Sequence, residues 1–419
     1  MTHHQIVIIG AGTAGITVAA RLLNENRKLD VALIDPSEKH YYQPAWTLVG
    51  AGAYKYQKTV GYTRDYIPRG ANWIRDRVSE VDPENNKLKT ESGEEISYDY
   101  LVVCPGVQYR LEWIEGLAET INKNGVCSNY IDSRYTWQVL QSFKGGNAVF
   151  TQPATPIKCG GAPQKIMYLT SDYIARHGLK DKSKVIFATP GSVIFGVEPF
   201  KDRLMEIVTE KDISLLFFHK PVKIDGPGHK VYFELMEKDK DKLFYNFKES
   251  LGYKDAGENR VSLPFEMLHL APPQSAPDFI MHSKLAVQEG PDKGWVEVDI
   301  YSLQHKRYPN VFALGDVAAL PTAKTGAAVR KQAPVLVKNL LAAMSGKPLQ
   351  ARYEGYSSCP IVTGYGRMLL AEFKYDNVRD SDPLLSKFFD TSKDSYAMWL
   401  LKKYLLPFMY WKLMLRGKA

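Results

Sequence analysis

The sequence predicts an α/β protein built from two Rossmann-like domains, followed by an amphipathic, membrane-associating segment at its C-terminal end. Three observations carry that prediction. A strand-like run from Gln5 to Ile9 leads into Gly10-Ala11-Gly12-Thr13-Ala14-Gly15 and then a helical stretch from Ile16 to Leu23. A second apolar strand, Asn310-Val311-Phe312-Ala313-Leu314, ends in Gly315-Asp316, and an aromatic segment without a single acid runs from Ser395 to Arg416. With 419 residues, 45% hydrophobic and 24% charged, the chain is long enough to bury two cores.

The first element is a strand, a glycine turn and a helix start in the order a pyrophosphate requires. Gly10 permits the tight turn, Gly12 lets the backbone approach a phosphate, Gly15 lets helix and strand pack closely, and the helix N-terminus offers free amides and a positive dipole. Val31-Ala32-Leu33-Ile34-Asp35 follows as an apolar strand ending in an acid, where a ribose hydroxyl needs an acceptor. Next, Tyr98 to Val103 reads as a strand that ends in Cys104-Pro105-Gly106. In flavoproteins of the glutathione-reductase type such a strand passes beneath the cofactor, usually ending in Thr-Gly. The strand ending in Gly315-Asp316 brings an aspartate to a ribityl chain in those proteins, and a helix from about Thr325 to Met344 then aims its N-terminus at the flavin pyrimidine ring, with Lys324 adding a full positive charge. These three elements together indicate FAD and a glutathione-reductase-type FAD fold.

A second glycine fingerprint, expected of a nicotinamide-dependent enzyme between residues 145 and 200, is missing. The strand Asn147 to Phe150 runs into Thr151-Gln152-Pro153-Ala154, and Lys184 to Ala188 runs into Thr189-Pro190-Gly191-Ser192. Neither admits a pyrophosphate. A thiol stands there instead, in Lys158-Cys159-Gly160-Gly161. The four cysteines, Cys104, Cys127, Cys159 and Cys359, form no C-x-x-C pair, which argues against zinc ribbons and thioredoxin-like dithiols and leaves no metal site. Cys104, in an apolar strand, reads as a buried structural thiol. Cys159 and Cys359 share loop-like surroundings with glycine and proline neighbours, read as exposed to a ligand, and Lys158 and Lys165 favour the thiolate.

Ile157 to Leu169, Arg307 to Phe312, and Cys359-Pro360-Ile361-Val362-Thr363-Gly364-Tyr365 resemble sulfide:quinone oxidoreductase, in the two-cysteine branch that includes the mitochondrial enzyme. Tyr41-Tyr42-Gln43-Pro44, Thr47 to Gly52, Met267-Leu268-His269 and Pro407 to Trp411 match as well. The resemblance implies oxidation of hydrogen sulfide to sulfane sulfur at a Cys159/Cys359 redox centre bridging sulfur, with FAD passing two electrons to ubiquinone or another membrane quinone, and the sulfur leaving on a small-molecule acceptor. It implies that Gly10, Ala11, Gly12, Thr13, Ala14, Gly15, Asp35, Gln43, Pro105, Gly106, Gly315, Asp316 and Lys324 line FAD. Cys359 is assigned to the flavin side and Cys159 to sulfur transfer. Cys127 stands near a third cysteine of another branch, which links to flavin or joins the sulfur chemistry. Residues 235 to 260, with their run Lys238 to Lys242, are a longer charged insertion than the family leads one to expect and read as a solvated excursion. A single-subunit NADH:quinone oxidoreductase and the flavoprotein subunit of a flavocytochrome c sulfide dehydrogenase are the alternatives.

The expected division is a FAD domain of residues 1–112 and 293–346, a second Rossmann-like domain of 113–292 carrying Cys159, and a C-terminal region, 347–419, with Cys359, a quinone site beside Tyr365 and Phe373, and the membrane anchor. Lys402, Lys403 and Lys412 interrupt any run of about 20 apolar residues, so the tail reads as a monotopic anchor, with Trp399, Phe408 and Trp411 in the interface and Lys402, Lys403, Lys412 and Arg416 toward lipid phosphate. Nucleic acid is a poor account of the formal net charge of +8, because the tail's basic residues sit among aromatics. The core strand begins by residue 5, so no secretory peptide is expected. The expected setting is the cytoplasmic face of a bacterial inner membrane, or the mitochondrial inner membrane if a targeting peptide was removed. Homo-oligomerisation stays open.

Overall fold

The computed structural model describes residues 2–418. Its first sheet has seven strands, with Thr2–Ile9 at the centre between Val31–Ile34 and Glu95–Val103, both parallel to it. Ala71–Ile74 extends one side, Lys87–Thr90 and Val78–Asp82 extend the other as antiparallel strands, and Val311–Ala313 pairs in parallel with Glu95–Val103. The central run Ile6 to Ile9 is buried throughout, as a strand covered on both faces must be. Helix Thr13–Glu25 lays Ile16, Ala19, Leu22 and Leu23 into one of the cores beside this sheet, at helical spacing.

The second sheet has six strands, in which Val126–Cys127, Met267–Leu270, Gly146–Thr151, Ser183–Ala188 and Ser214–Leu216 run parallel. Phe244–Tyr245 closes its edge as an antiparallel strand, and a four-stranded antiparallel sheet from residues 219–264 packs alongside. The charged run Lys238 to Lys242 within this part is mostly exposed. The excursion is not solvated throughout, because its later residues supply that edge strand and bury Leu243 and Leu251.

A hairpin, Ser357–Gly364 with Arg367–Phe373, is buried along most of its length. It packs on helix Ala162–Arg176 and beside the start of helix Gly326–Met344. The chain after it re-enters both cores. Met398 and Trp399 join the cluster around the second sheet, whereas Tyr410, Met414 and Leu415 join the cluster around helix Thr13–Glu25. Asp394, below the ordinary carboxylate range despite burial because it accepts from Arg367, Arg203 and Thr363, ties the tail's beginning to the hairpin and to helix Phe200–Glu210.

Candidate active site

Gly10 leaves the first strand at φ +100, and a Cβ there would meet the Cys104 carbonyl oxygen at 2.5 Å. The turn and the Cys104-Pro105-Gly106 loop are therefore in backbone contact. A Cβ at Gly15 would meet Gly10 O at 1.8 Å, whereas Gly12 and Gly106 face open space. Gly12 caps helix Thr13–Glu25 without a side chain, which leaves its first amides free for an anion. Asp35 steadies the turn, its Oδ2 accepting from Ala11 N at 2.7 Å. Gln43 is exposed in the short 3-10 turn Gln43–Ala45.

Helix Gly326–Met344 begins at a cleft lined by Gly315, Lys324, Thr325, Ala328 and Gln332. Gly315 N donates to Gln332 Oε1 at 2.9 Å. Burial raises the Asp316 carboxyl above its usual range against the pull of Lys158 and Lys324, and no described residue donates a hydrogen bond to it. Lys324 donates to Ala318 O and stands over the Trp295 ring at 4.0 Å, and burial lowers it to about 8. Open glycine surfaces, two helix N-termini and a buried acid that accepts no hydrogen bond from the described residues fit a dinucleotide with a ribityl chain.

The structure brings Cys159 and Cys359 together, Sγ to Sγ, at 3.9 Å. Cys159 sits in a bend with φ +102, and its carbonyl accepts from Ala162 N at 2.6 Å, so it lies at the N-terminus of helix Ala162–Arg176. Cys359 is not in a loop exposed to a ligand: it lies within strand Ser357–Gly364, opposite Ala371, and is 2% exposed. Its proline and glycine neighbours misled the sequence reading, because strand pairing and the packing of helix Ala162–Arg176 outweigh them. That helix approaches so closely that a Cβ on Gly161 would sit 2.7 Å from Cys359 Sγ.

Lys165, buried one turn into the same helix, donates to Cys159 Sγ at 3.3 Å. The Cys359 thiol and the Lys165 ammonium hold Cys159 well below the ordinary thiol range against burial, and its hydrogen bond to Cys159 together with burial pushes Cys359 well above it. The thiolate of the pair is thus on Cys159. Lys158 is directed elsewhere, its ammonium over the Tyr109 ring at 4.9 Å.

Several expectations give way to the structure. Lys402 does not face lipid: it is 2% exposed and within electrostatic reach of Cys159, Cys359 and Lys165, and burial followed by Lys165 lowers it to about 7. It lies in the π-helical turn Leu401–Leu405, whose wider spacing re-aims side chains. Trp399, 6% exposed, is core, and Trp411 packs on Tyr66 and His40. Phe408, Lys412 and Arg416 are exposed, and so are Tyr396, Leu400, Tyr404 and Leu405. Tyr365 and Phe373 do not share one pocket. Tyr365 is at the hairpin turn, its hydroxyl donating to Ala51 O at 2.6 Å, whereas Phe373 pairs with Ser357 at the other end, roughly 20 Å away at 3.3 Å per residue. Cys104 and Cys127 are both buried thiols; burial and then Asp35 raise Cys104, and burial pushes Cys127 up to about 12, unsuited to a nucleophile.

Sequence reasoning missed Lys402, and it missed Tyr410, whose hydroxyl lies 2.7 Å from Thr13 Oγ1 in the glycine turn and 2.6 Å from His40 Nε2. The only signal for either was an apolar, acid-free tail too rich in aromatics to lie wholly on a surface.

A model of the pyridine nucleotide-disulphide oxidoreductase family matches residues 4–142. The mitochondrial sulfide:quinone oxidoreductase of Mus musculus is 43% identical over 99% of this chain and 87% of its own length. That of Dictyostelium discoideum is 42% identical over 99% and 86%. Among solved structures, the sulfide:quinone oxidoreductase of the hyperthermophilic bacterium Aquifex aeolicus superposes with a TM-score of 0.76 at 18% identity, covering 100% of this chain and 92% of that one, a likeness of fold.

Proposed function

We propose a path for electrons and sulfur from the premise that this chain belongs to the sulfide:quinone oxidoreductase family. The chain is a flavoprotein-type oxidoreductase that oxidises sulfide and reduces a quinone. The observation that carries the path is the meeting of Cys159 and Cys359, 3.9 Å apart, with the Lys165 ammonium donating to Cys159 Sγ at 3.3 Å and also reaching Cys359. That spacing is too long for a direct bond of about 2.05 Å, and because two such bonds meet at a bent angle on a bridging sulfur and span about 3.3 Å, bridging would draw the two sulfurs roughly 0.6 Å closer.

Gly10 to Gly15, Asp35, Gln43, Pro105, Gly106, Gly315, Asp316 and Lys324 would hold FAD, which when bound supplies the two-electron acceptor between sulfur and quinone. Cys159 is the flavin-side residue, the reverse of the assignment read from sequence. Its neighbour Lys158 makes a backbone bridge to Lys324, and its thiolate is close enough to Asp316 to raise that acid. Cys359, on the far side, receives sulfur. In the bridged state hydrosulfide attacks Cys359 Sγ: a bond forms between the incoming sulfur and Cys359 Sγ, the bond from Cys359 Sγ to the bridging sulfur breaks, and its electron pair leaves on that sulfur, now a persulfide anion on Cys159. Lys165 and the N-terminus of helix Ala162–Arg176 stabilise that charge. The persulfide on Cys359 then loses its outer sulfur to a small-molecule acceptor.

Among the described residues no helix is long and apolar enough to cross a membrane. Leu400, Tyr404, Leu405 and Phe408, flanked by Lys403 and Lys412, form an exposed aromatic and basic face suited to lying in a lipid interface. The mitochondrial names of the relatives support a mitochondrial-type membrane as its setting.

Anaerobic sulfide should bleach the bound flavin, and quinone should restore it. Cys159→Ser and Cys359→Ser proteins should keep their flavin yet lose sulfide-dependent quinone reduction. Turnover above about a tenth of the parent's in either, a barrier change under roughly 1.4 kcal/mol, overturns the two-cysteine path.

A further inference from the structure

Cys159 is a non-glycine residue at φ +102, a backbone conformation that persists only where its surroundings over-determine it. The surroundings here are specific. The peptide plane entering Cys159 carries the Lys158 carbonyl, which accepts from the Tyr130 hydroxyl at 3.2 Å. The plane before it carries the Lys158 N–H, which donates to Gln274 Oε1 at 3.0 Å. The plane leaving Cys159 is fixed by Ala162 N on the Cys159 carbonyl. The two bonds on Lys158 fix the entering plane; with one lost, Cys159 can relax toward negative φ by turning about its own N–Cα bond, which carries Cβ and Sγ away from Lys165 and Cys359.

Both donors and acceptors of this arrangement are themselves held. Tyr130 and Gln274 are buried. Ser128 Oγ caps the helix that begins at Asn129, accepting from Tyr130 N, and Asn129 N donates to His269 Nε2 at 3.0 Å. His269 is buried and its proton affinity is lowered, so the imidazole stays a neutral acceptor. Gln274 N donates to Thr155 Oγ1 at 3.0 Å, and Gln274 pairs in register with Tyr109, whose ring meets Tyr130 edge to face. The segments that carry Tyr130 and Gln274 thus converge on the one residue that precedes the reactive thiol.

We propose that Tyr130 and Gln274 are positioning residues that clamp the Lys158 backbone and so hold the Cys159 sulfur against Lys165 and Cys359. The inference rests on Cys159 being the thiolate of the pair and names what keeps it so. That turn about the N–Cα bond would part the sulfur from the Cys359 thiol and the Lys165 ammonium that stabilise its anion; the other groups facing it are Lys402, Tyr130 and Asp316.

The test uses the full flavin-bound chain, reduced with dithiothreitol and freed of thiol by gel filtration, with Tyr130→Phe and Gln274→Met as separate variants. Iodoacetamide alkylation is followed from pH 5 to 9 and assigned to each cysteine by peptide mass mapping. With one clamp bond lost, Cys159 should react about tenfold more slowly at pH 6, and the pH at which it becomes reactive should rise. Cys104 and Cys127 should stay unreactive, since a general loosening would expose them and speed all four thiols. A parent-like Cys159 profile in both variants, or faster alkylation at every cysteine, overturns the clamp. Its fate is separable from that of the functional reading, which falls on sulfide-dependent turnover of Cys159→Ser while the alkylation profile of Tyr130→Phe decides the clamp alone.

Discussion

Replacing Lys165 with methionine removes the one ammonium in hydrogen-bond contact with the Cys159 sulfur, while keeping an unbranched side chain of similar length. At 3.3 Å and an effective dielectric constant of about 20, the attraction lost is about 5 kcal/mol. At 1.36 kcal/mol per pH unit that is a ceiling of about 3.7 units. Two groups reduce it. The helix N-terminus at Ala162 still faces the thiolate, and Lys402, held down by burial and then by Lys165 itself, regains charge once Lys165 is gone. An upward move of about two pH units in the onset of Cys159 reactivity remains, within the range an opposite charge at this distance produces. Well below that onset the thiolate becomes about a hundredfold scarcer, but a more basic thiolate is a better nucleophile by about tenfold, so the rate near pH 6 should fall about tenfold. The assay is iodoacetamide alkylation of the reduced, flavin-bound protein against pH, with the modified residue identified by mass. An onset within half a unit of the parent's would refute the reasoning and would mean that the Cys359 hydrogen bond and the helix N-terminus hold the anion alone.

Three further outcomes follow from the same geometry. In a Cys159→Ser/Cys359→Ser background, burial and Lys165 hold Lys402 at or below about 7, against 10.5 for the unfolded chain, so between those values the unfolded state binds the extra proton and stability rises with pH. Lys402→Met should therefore stabilise that background most at or below pH 7, and the gain should shrink by about 1.4 kcal/mol per unit as pH rises toward 10; a gap in guanidinium melts that does not change with pH contradicts a buried, depressed lysine. Gly161→Ala drives a methyl to 2.7 Å from Cys359 Sγ and should cost about 1–3 kcal/mol and most of the sulfide-dependent turnover; parent-like turnover would mean the two sulfurs need not approach as they do here. Changing Leu400, Tyr404, Leu405 and Phe408 to serine should release the protein from anionic liposomes while sulfide still bleaches its flavin, whereas flotation like the parent's removes that face as the membrane contact.

Local chemistry was legible in the chain. The turn Gly10 to Gly15, its acid at Asp35, and the strand ending in Gly315-Asp316 are patterns whose meaning lies within a few residues, because a tight turn, a backbone approach to phosphate and a strand-end carboxylate each need a particular residue at a particular step. The thiol in place of a second fingerprint was legible for the same reason. What the sequence could not decide was direction. Lys402 and Lys403 are adjacent and read alike, yet one ammonium is buried near the sulfurs and the other is not, because a single π turn and the docking of Met398 and Trp399 set which face of the helix turns inward. Cys359 read as loop because proline and glycine flank it, and only the partner strand Arg367–Phe373 and the helix packed on it make it core. The clamp on Lys158 joins residues 130, 158 and 274 through two hydrogen bonds that span 28 and 116 positions. Spacing along a chain reports which residues can turn, pair or cap with their neighbours; which side chains meet across the molecule depends on how the sheets, the hairpin and the returning tail pack, and that is decided only when the apolar surfaces of all of them are buried together.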